Sequence, residues 1–160
     1  ISLETKKIVF VCTGNTCRSV IAQALFQKSK YELVPELVYF ADSAGVAAVK
    51  GASPAGETIL CLAKRGLDVS TYRAKPVDDR IIGESSLILT MTYQQKCFLV
   101  EQYPGDLDKI FLFRSYCQNS SHINNPEVDD PYGKSISFYE RICNQLDNDI
   151  NQLINRLREE

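Results

Sequence analysis

The chain has 160 residues, 44 % of them hydrophobic and 24 % charged, which is the make-up of one compact globular domain and not of a disordered chain. Eighteen Lys and Arg against 20 Asp and Glu leave a net charge of −2, which argues against a nucleic-acid binder with its basic stripe. No apolar run approaches the roughly 20 residues of a membrane span and no signal-like segment opens the chain, so a cytoplasmic protein without membrane partners is expected.

Ile1 stands first instead of Met, as expected of a processed end or a fragment boundary. Lys7-Ile8-Val9-Phe10-Val11 is a short β-branched run, predicted as a strand buried on both faces. Cys12 to Ser19 breaks the pattern with Gly14 and Asn15, and Val20 to Lys28 then turns helical, with Ile21, Ala24 and Leu25 on one face. Leu37-Val38-Tyr39-Phe40 is a second strand, followed by Ser43-Ala44-Gly45. Ser53-Pro54 opens a helix that Gly66 closes. Leu87-Ile88-Leu89 is a third strand, Tyr93 to Gln102 a helix, and Pro104-Gly105 its stop. Ile110-Phe111-Leu112-Phe113 is the fourth strand, and a long polar loop runs from it through Pro131-Tyr132-Gly133. In the last helix Tyr139, Ile142, Leu146, Ile150, Leu153 and Leu157 keep a 3-to-4 spacing. Alternating strands and helices make this an α/β fold with a mainly parallel sheet covered on both sides, and such sheets bind ligands beyond the carboxyl ends of their strands.

Of the six cysteines, Cys61 and Cys97 lie in apolar stretches where buried thiols are common, and a core of this size needs no disulfide staples. With no C-x-x-C pair and His122 as the single histidine, a zinc site has few ligands to draw on and a Ser-His-Asp or Cys-His catalytic set is disfavoured. No metal or cofactor is expected. His122 itself falls in a polar stretch and reads as an exposed loop residue.

The loop after the first strand, Cys12-Thr13-Gly14-Asn15-Thr16-Cys17-Arg18-Ser19, carries the chemistry. Gly14 and Asn15 both tolerate the left-handed backbone of a tight cradle, and amides at a helix N-terminus bind anions. The loop has neither the Gly-x-Gly-x-x-Gly of a dinucleotide fold nor the Gly-Lys-Ser/Thr of a nucleotide P-loop. Its Cys-x5-Arg spacing alone is weak. The buried strand before it and the helix after it make the pattern specific. A helix N-terminus and Arg18 beside Cys12 suit it to act as a nucleophile. Arg18 can grip two phosphoryl oxygens, and Ser19 can hydrogen-bond the sulfur as a leaving group.

These residues resemble the low-molecular-weight protein tyrosine phosphatase family over most of the chain. The resemblance implies that family's three-layer sandwich, with a four-stranded parallel sheet between helices, as a single phosphatase domain over residues 1–160. It makes residues 13 to 19 the phosphate loop and Ser43, in Asp42-Ser43-Ala44-Gly45, the partner of Asn15. Asp129-Asp130-Pro131-Tyr132-Gly133 resembles the segment that carries the general acid, which assigns that role to Asp130, with Asp129 as a solvated neighbour. The implied cycle is attack by Cys12 on phosphorus, then hydrolysis of the phosphocysteine, without a metal. Cys17 resembles the backup thiol that traps oxidised Cys12 as a disulfide.

Within the family, Thr16 stands where tyrosine-directed members carry an aliphatic residue, as in the branch of bacterial protein arginine phosphatases; Leu89-Thr90-Met91-Thr92 and Asp130-Pro131-Tyr132-Gly133 also look like that branch. A threonine hydroxyl suits a guanidinium better than a phenyl ring, so the expected substrate is a phosphoarginine side chain of a protein, with phosphotyrosine as the alternative. Thr16 and Tyr132 are the expected pocket residues. Three departures stand out: Val20 in place of proline, Tyr72 where many members have histidine, and small side chains over Gly45-Val46-Ala47-Ala48-Val49 where others place an aromatic wall. Two rivals remain. Arsenate reductase would need a closely spaced redox pair that Cys97 and Cys117 do not make. A non-catalytic phosphate-binding module would need neither Cys12 nor Asp130. The oligomeric state is not legible.

Overall fold

The computed structural model describes residues 4–120 and 122–160. The β-branched run after Lys6 forms β1 (Lys6–Cys12), and because strand side chains alternate it feeds two cores. Ile8 and Phe10 enter one, Val9 and Val11 the other. β1 lies inside a four-stranded sheet of order β2-β1-β3-β4, with β2 (Tyr39–Gly45), β3 (Leu87–Thr90) and β4 (Ile110–Leu112) all parallel to their neighbours.

Helices cover both faces, which makes the three-layer α/β sandwich. On the Phe10 face lie α1 (Arg18–Leu33), α2 (Gly56–Ala63), α5 (Phe113–Cys117) and α6 (Ile136–Arg158), and the first three all pack on α6. The 3-to-4 spacing of α6 does what it requires: Tyr139, Ile142, Leu146, Ile150, Leu153 and Leu157 are all buried. On the Val9 face lie α3 (Asp79–Glu84) and α4 (Tyr93–Gln102), whose Ile81, Ile82 and Leu99 meet Val9, Val11 and Ile88. No helix of the described residues is long and apolar enough to cross a membrane.

Several boundaries differ from the sequence reading. β2 starts at Tyr39 and runs to Gly45, because Asp42, Ser43 and Ala44 continue the parallel register against Val9, Phe10 and Val11. Phe113 does not end β4; it begins α5, with its buried ring 5.8 Å from that of Phe10. Helix α1 begins two residues early, at Arg18, and α2 two residues after Pro54. Helices α3 and α5 are too short for periodicity to reveal; α3 is marked only by its cap, the Asp78 carboxylate accepting from the Ile81 amide at 2.8 Å. Cys97 is exposed, contrary to expectation, because it sits about 200° around α4 from the buried Leu99. His122 is exposed, as its polar setting predicts.

The chain leaves β1 for β2 on one side and later returns to β3 on the other. That reversal beside β1 is where a parallel sheet opens a crevice past its carboxyl ends.

Candidate active site

Cys12 is the last residue of β1, paired with Gly45 of β2, and the loop that follows it is braced from outside. The Val46 amide donates to the Cys12 carbonyl at 3.0 Å, and the Ala47 amide donates to the Thr13 carbonyl at 2.9 Å. A Cβ on Gly45 would lie 2.5 Å from the Thr13 carbonyl oxygen and 3.0 Å from the Asn15 nitrogen, so only glycine permits this approach. From α2, the Ala55 amide and the Thr58 hydroxyl donate to the Thr16 carbonyl at 3.1 and 3.0 Å. Carbonyl and following amide point opposite ways in a trans peptide. With the carbonyls of Cys12, Thr13 and Thr16 turned outward, the amides of Thr13, Gly14 and Cys17 turn inward. Together with the N-terminus of α1 they form an anion cradle.

Asn15 sets the curvature. It is fully buried at φ 56°, in the left-handed region, whereas Gly14 does not use that region. Its carboxamide is used on both sides: Nδ2 donates to Ser19 Oγ at 2.8 Å and Ser43 Oγ at 3.0 Å, and Oδ1 accepts from the Tyr72 hydroxyl at 2.9 Å and the Lys75 amide at 3.0 Å. Ser43 in turn donates to Gln23 Oε1 at 2.6 Å. Burial pushes the Tyr72 phenol up, which keeps it a neutral donor. Ser43 thus meets Asn15 as expected, and Tyr72 joins them through its hydroxyl.

The Cys12 sulfur takes the Asn15 amide at 3.3 Å and lies 2.9 Å from Ser19 Oγ. Since Ser19 Oγ already accepts from Asn15, its own proton is free for the sulfur. Arg18 is buried, with Nη1 donating to the Val128 carbonyl at 2.9 Å and Nη2 lying 3.8 Å from Asp130 Oδ2. That backbone contact ties the cradle to the loop carrying Asp130, which the Val128 amide also fastens to the Met91 carbonyl at 3.0 Å. The Asp130 side chain is 59 % exposed, and its Oδ1 accepts from the Tyr132 amide at 3.0 Å. Asp129 is also exposed and lies 3.8 Å from Arg141.

The structure therefore brings Cys12, Thr13, Gly14, Asn15, Thr16, Cys17, Arg18, Ser19, Ser43 and Asp130 to one end of the sheet. Tyr132 reaches the site through its backbone, and its ring is 74 % exposed. Cys17 is a free thiol whose Sγ lies 3.4 Å from the Tyr139 hydroxyl. Burial, followed by the Cys17 thiol beside it, pushes the Tyr139 phenol up. Gln23, Thr58 and Gln95 carry no sequence signal for a role here. Gln95 donates to Thr13 Oγ1 at 3.0 Å while its carbonyl accepts from the Met91 and Thr92 amides, both at 3.0 Å. The capping pattern of α4 marks Gln95 only as part of a helix start. A groove of about 550 Å³ lies between α1 and residues 67–72, with Gln23 and Tyr72 in its lining.

Known proteins are similar to this chain in sequence and in fold. The family model described as low molecular weight phosphotyrosine protein phosphatase matches residues 7–160. A protein-arginine-phosphatase of Bacillus subtilis is 32 % identical over 96 % of this chain and 97 % of its own length. A low molecular weight protein-tyrosine-phosphatase, PtpB of Staphylococcus haemolyticus, is 35 % identical over 88 % of this chain and 91 % of its own. Among solved structures, a mutant of the YwlE arginine phosphatase with a phosphorylated active-site serine superposes with a TM-score of 0.88 at 29 % identity, covering 96 % of this chain and 97 % of that one.

Proposed function

The chain belongs to the low molecular weight phosphotyrosine protein phosphatase family, a family of cysteine-dependent protein phosphatases, and from that premise we propose that it hydrolyses phosphoarginine side chains of proteins as a single domain over residues 1–160. The observation that carries the reading is the sulfur of Cys12 between two donors at the base of an amide cradle, with Arg18 and Asp130 facing each other across its rim.

In the first step the Cys12 sulfur attacks phosphorus in line, an S–P bond forms, and the P–N bond to the guanidinium breaks. Asp130 supplies the proton that the leaving nitrogen needs. The inward amides and Arg18 hold the equatorial oxygens, where charge spreads in the transition state. In the second step Asp130 takes a proton from water as its oxygen attacks phosphorus. The S–P bond then breaks, inorganic phosphate leaves, and the Ser19 hydroxyl stabilises the departing thiolate. Besides water and the substrate, every group in this cycle is a side chain or an amide of the chain.

Two features support phosphoarginine. Thr16 presents a hydroxyl at the half-buried edge of the cradle, beside Cys17 Sγ at 3.7 Å. The wall from Val46 to Val49 carries only small aliphatic side chains, with Val49 73 % exposed, which leaves little to stack on a phenyl ring. Phosphotyrosine is the second reading, favoured by the name of the PtpB relative. A disulfide relay of the arsenate-reductase kind finds no partner pair in Cys97, exposed on α4, and Cys117, buried in α5. The reducing conditions that keep a catalytic thiol free support a cytoplasmic setting.

The test is hydrolysis of phosphoarginine and phosphotyrosine peptides side by side, with a chelator present and Cys12→Ser as control. A preference for phosphoarginine that Thr16→Ile moves toward phosphotyrosine supports the assignment. An unchanged ratio in that variant removes Thr16 as the selector, and full turnover by Cys12→Ser removes the covalent mechanism.

A further inference from the structure

Thr58 is a fully buried polar residue in the first turn of α2. Its hydroxyl donates to the Thr16 carbonyl at 3.0 Å, and the amide of Ala55, the residue that caps the same helix, donates to that oxygen at 3.1 Å. Two donors engage both lone pairs of one carbonyl. Helix α2 is itself anchored, since Cys61 and Leu62 are buried in the core beside α6. The Thr16–Cys17 peptide is thus gripped from outside by a fixed element, and its other end, the Cys17 amide, faces the other way.

We propose that Thr58 is a positioning residue for phosphoryl binding, its hydroxyl holding the Thr16–Cys17 peptide so that the Cys17 amide is aimed at the bound phosphoryl group. The inference rests on the phosphatase reading of the cradle and adds to it a residue that touches neither substrate nor nucleophile. The physical distinction lies within Thr16. Its side chain faces the variable part of the substrate, whereas its backbone, through Thr58, serves the phosphoryl group that every substrate shares. Thr58 therefore controls affinity for the anion and leaves the choice between phosphoarginine and phosphotyrosine untouched. The carbonyl keeps the Ala55 donor when the hydroxyl is lost, so the fold loses one neutral hydrogen bond while the amide loses its aim.

The test compares Thr58→Val, which keeps the shape and removes the hydroxyl, with Thr58→Ser, which keeps the hydroxyl. Inorganic phosphate is the probe, titrated calorimetrically against the full chain and also used as a competitive inhibitor. Thr58→Val should weaken phosphate binding and lower kcat/KM for both peptides by about tenfold, short of the roughly 10²–10³ that outright loss of an oxyanion donor costs in kcat. The ratio of the two substrates should not move, and Thr58→Ser should restore wild-type values. Wild-type phosphate affinity in a folded Thr58→Val protein overturns the proposal, and so does a loss that Thr58→Ser fails to restore, because packing of the methyl group then explains it. Should Thr58→Val not fold, Thr58→Ala against Thr58→Ser makes the same comparison. Calorimetric phosphate binding needs no turnover, so absence of Cys12-dependent hydrolysis in the wild type would sink the phosphatase reading separately.

Discussion

Replacing Asn15 by alanine removes four hydrogen bonds at once, to Ser19, Ser43, Tyr72 and the Lys75 amide, all at 2.8 to 3.0 Å from a fully buried side chain. At about 1 kcal/mol each the bonds are together worth roughly 4 kcal/mol. Alanine must also hold the φ of 56° that asparagine tolerates, at a further cost of about 1 kcal/mol. For a chain of this size each kcal/mol lowers the melting midpoint by roughly 2–4 °C, so Asn15→Ala should melt about 10–20 °C below wild type. Activity should fall as well. Without the Asn15 donor, the Ser19 hydroxyl is free to turn from the sulfur and the inward amides lose their common focus, so kcat/KM should drop by about 10²-fold or more. Asn15→Gly separates the two causes, because glycine accepts the backbone but supplies no side chain. It should melt about 2–4 °C above Asn15→Ala and be no more active. Calorimetry and steady-state hydrolysis measure both quantities. An Asn15→Ala protein that melts within about 2 °C of wild type and keeps its kcat/KM would refute the claim that this network holds the loop.

Gly45→Ala tests the other side of the cradle. Its Cβ would fall 2.5 Å from the Thr13 carbonyl oxygen, which is backbone and cannot swing aside, so β2 and the loop must separate. The expected cost is about 1–3 kcal/mol with a loss of phosphate affinity, and unchanged phosphate binding by calorimetry would contradict it. The thiols should divide by environment under iodoacetamide at pH 8. Burial pushes Cys143 up to about 12 and Cys117 well above the ordinary thiol range, so both should stay unlabelled until the protein unfolds. Cys97 is exposed and should react first, and Cys12 should react unless phosphate fills the cradle. After peroxide, the sulfenic acid formed at Cys12 should be attacked by the Cys17 thiol, expelling water and leaving a Cys12–Cys17 disulfide. Peptide mass spectrometry that finds Cys12 oxidised beyond the sulfenic stage with Cys17 still free would remove Cys17 from that role.

Much of this protein is legible locally. The apolar run Ile8–Val11 specified a strand buried on both faces, the spacing from Tyr139 to Leu157 specified one buried helix face, and the residues Cys12 to Ser19 named the cradle. Each of these is a pattern over neighbouring residues, where backbone geometry converts sequence spacing directly into direction. Even the Ser43 contact to Asn15 came from resemblance and not from any local rule.

What orients the cradle was decided elsewhere. Gln23, Thr58, Gln95 and the Val128 carbonyl reach it from α1, α2, α4 and the Asp130 loop, through bonds that span up to 110 positions in sequence. No single-sequence period encodes such a bond, because it exists only once the parallel sheet has set the ends of its strands side by side. The exposure of Cys97 and the turn of Phe113 into a helix have the same origin. Composition can say that a thiol or a ring tends to be buried, but only packed neighbours determine which side of a helix faces the core.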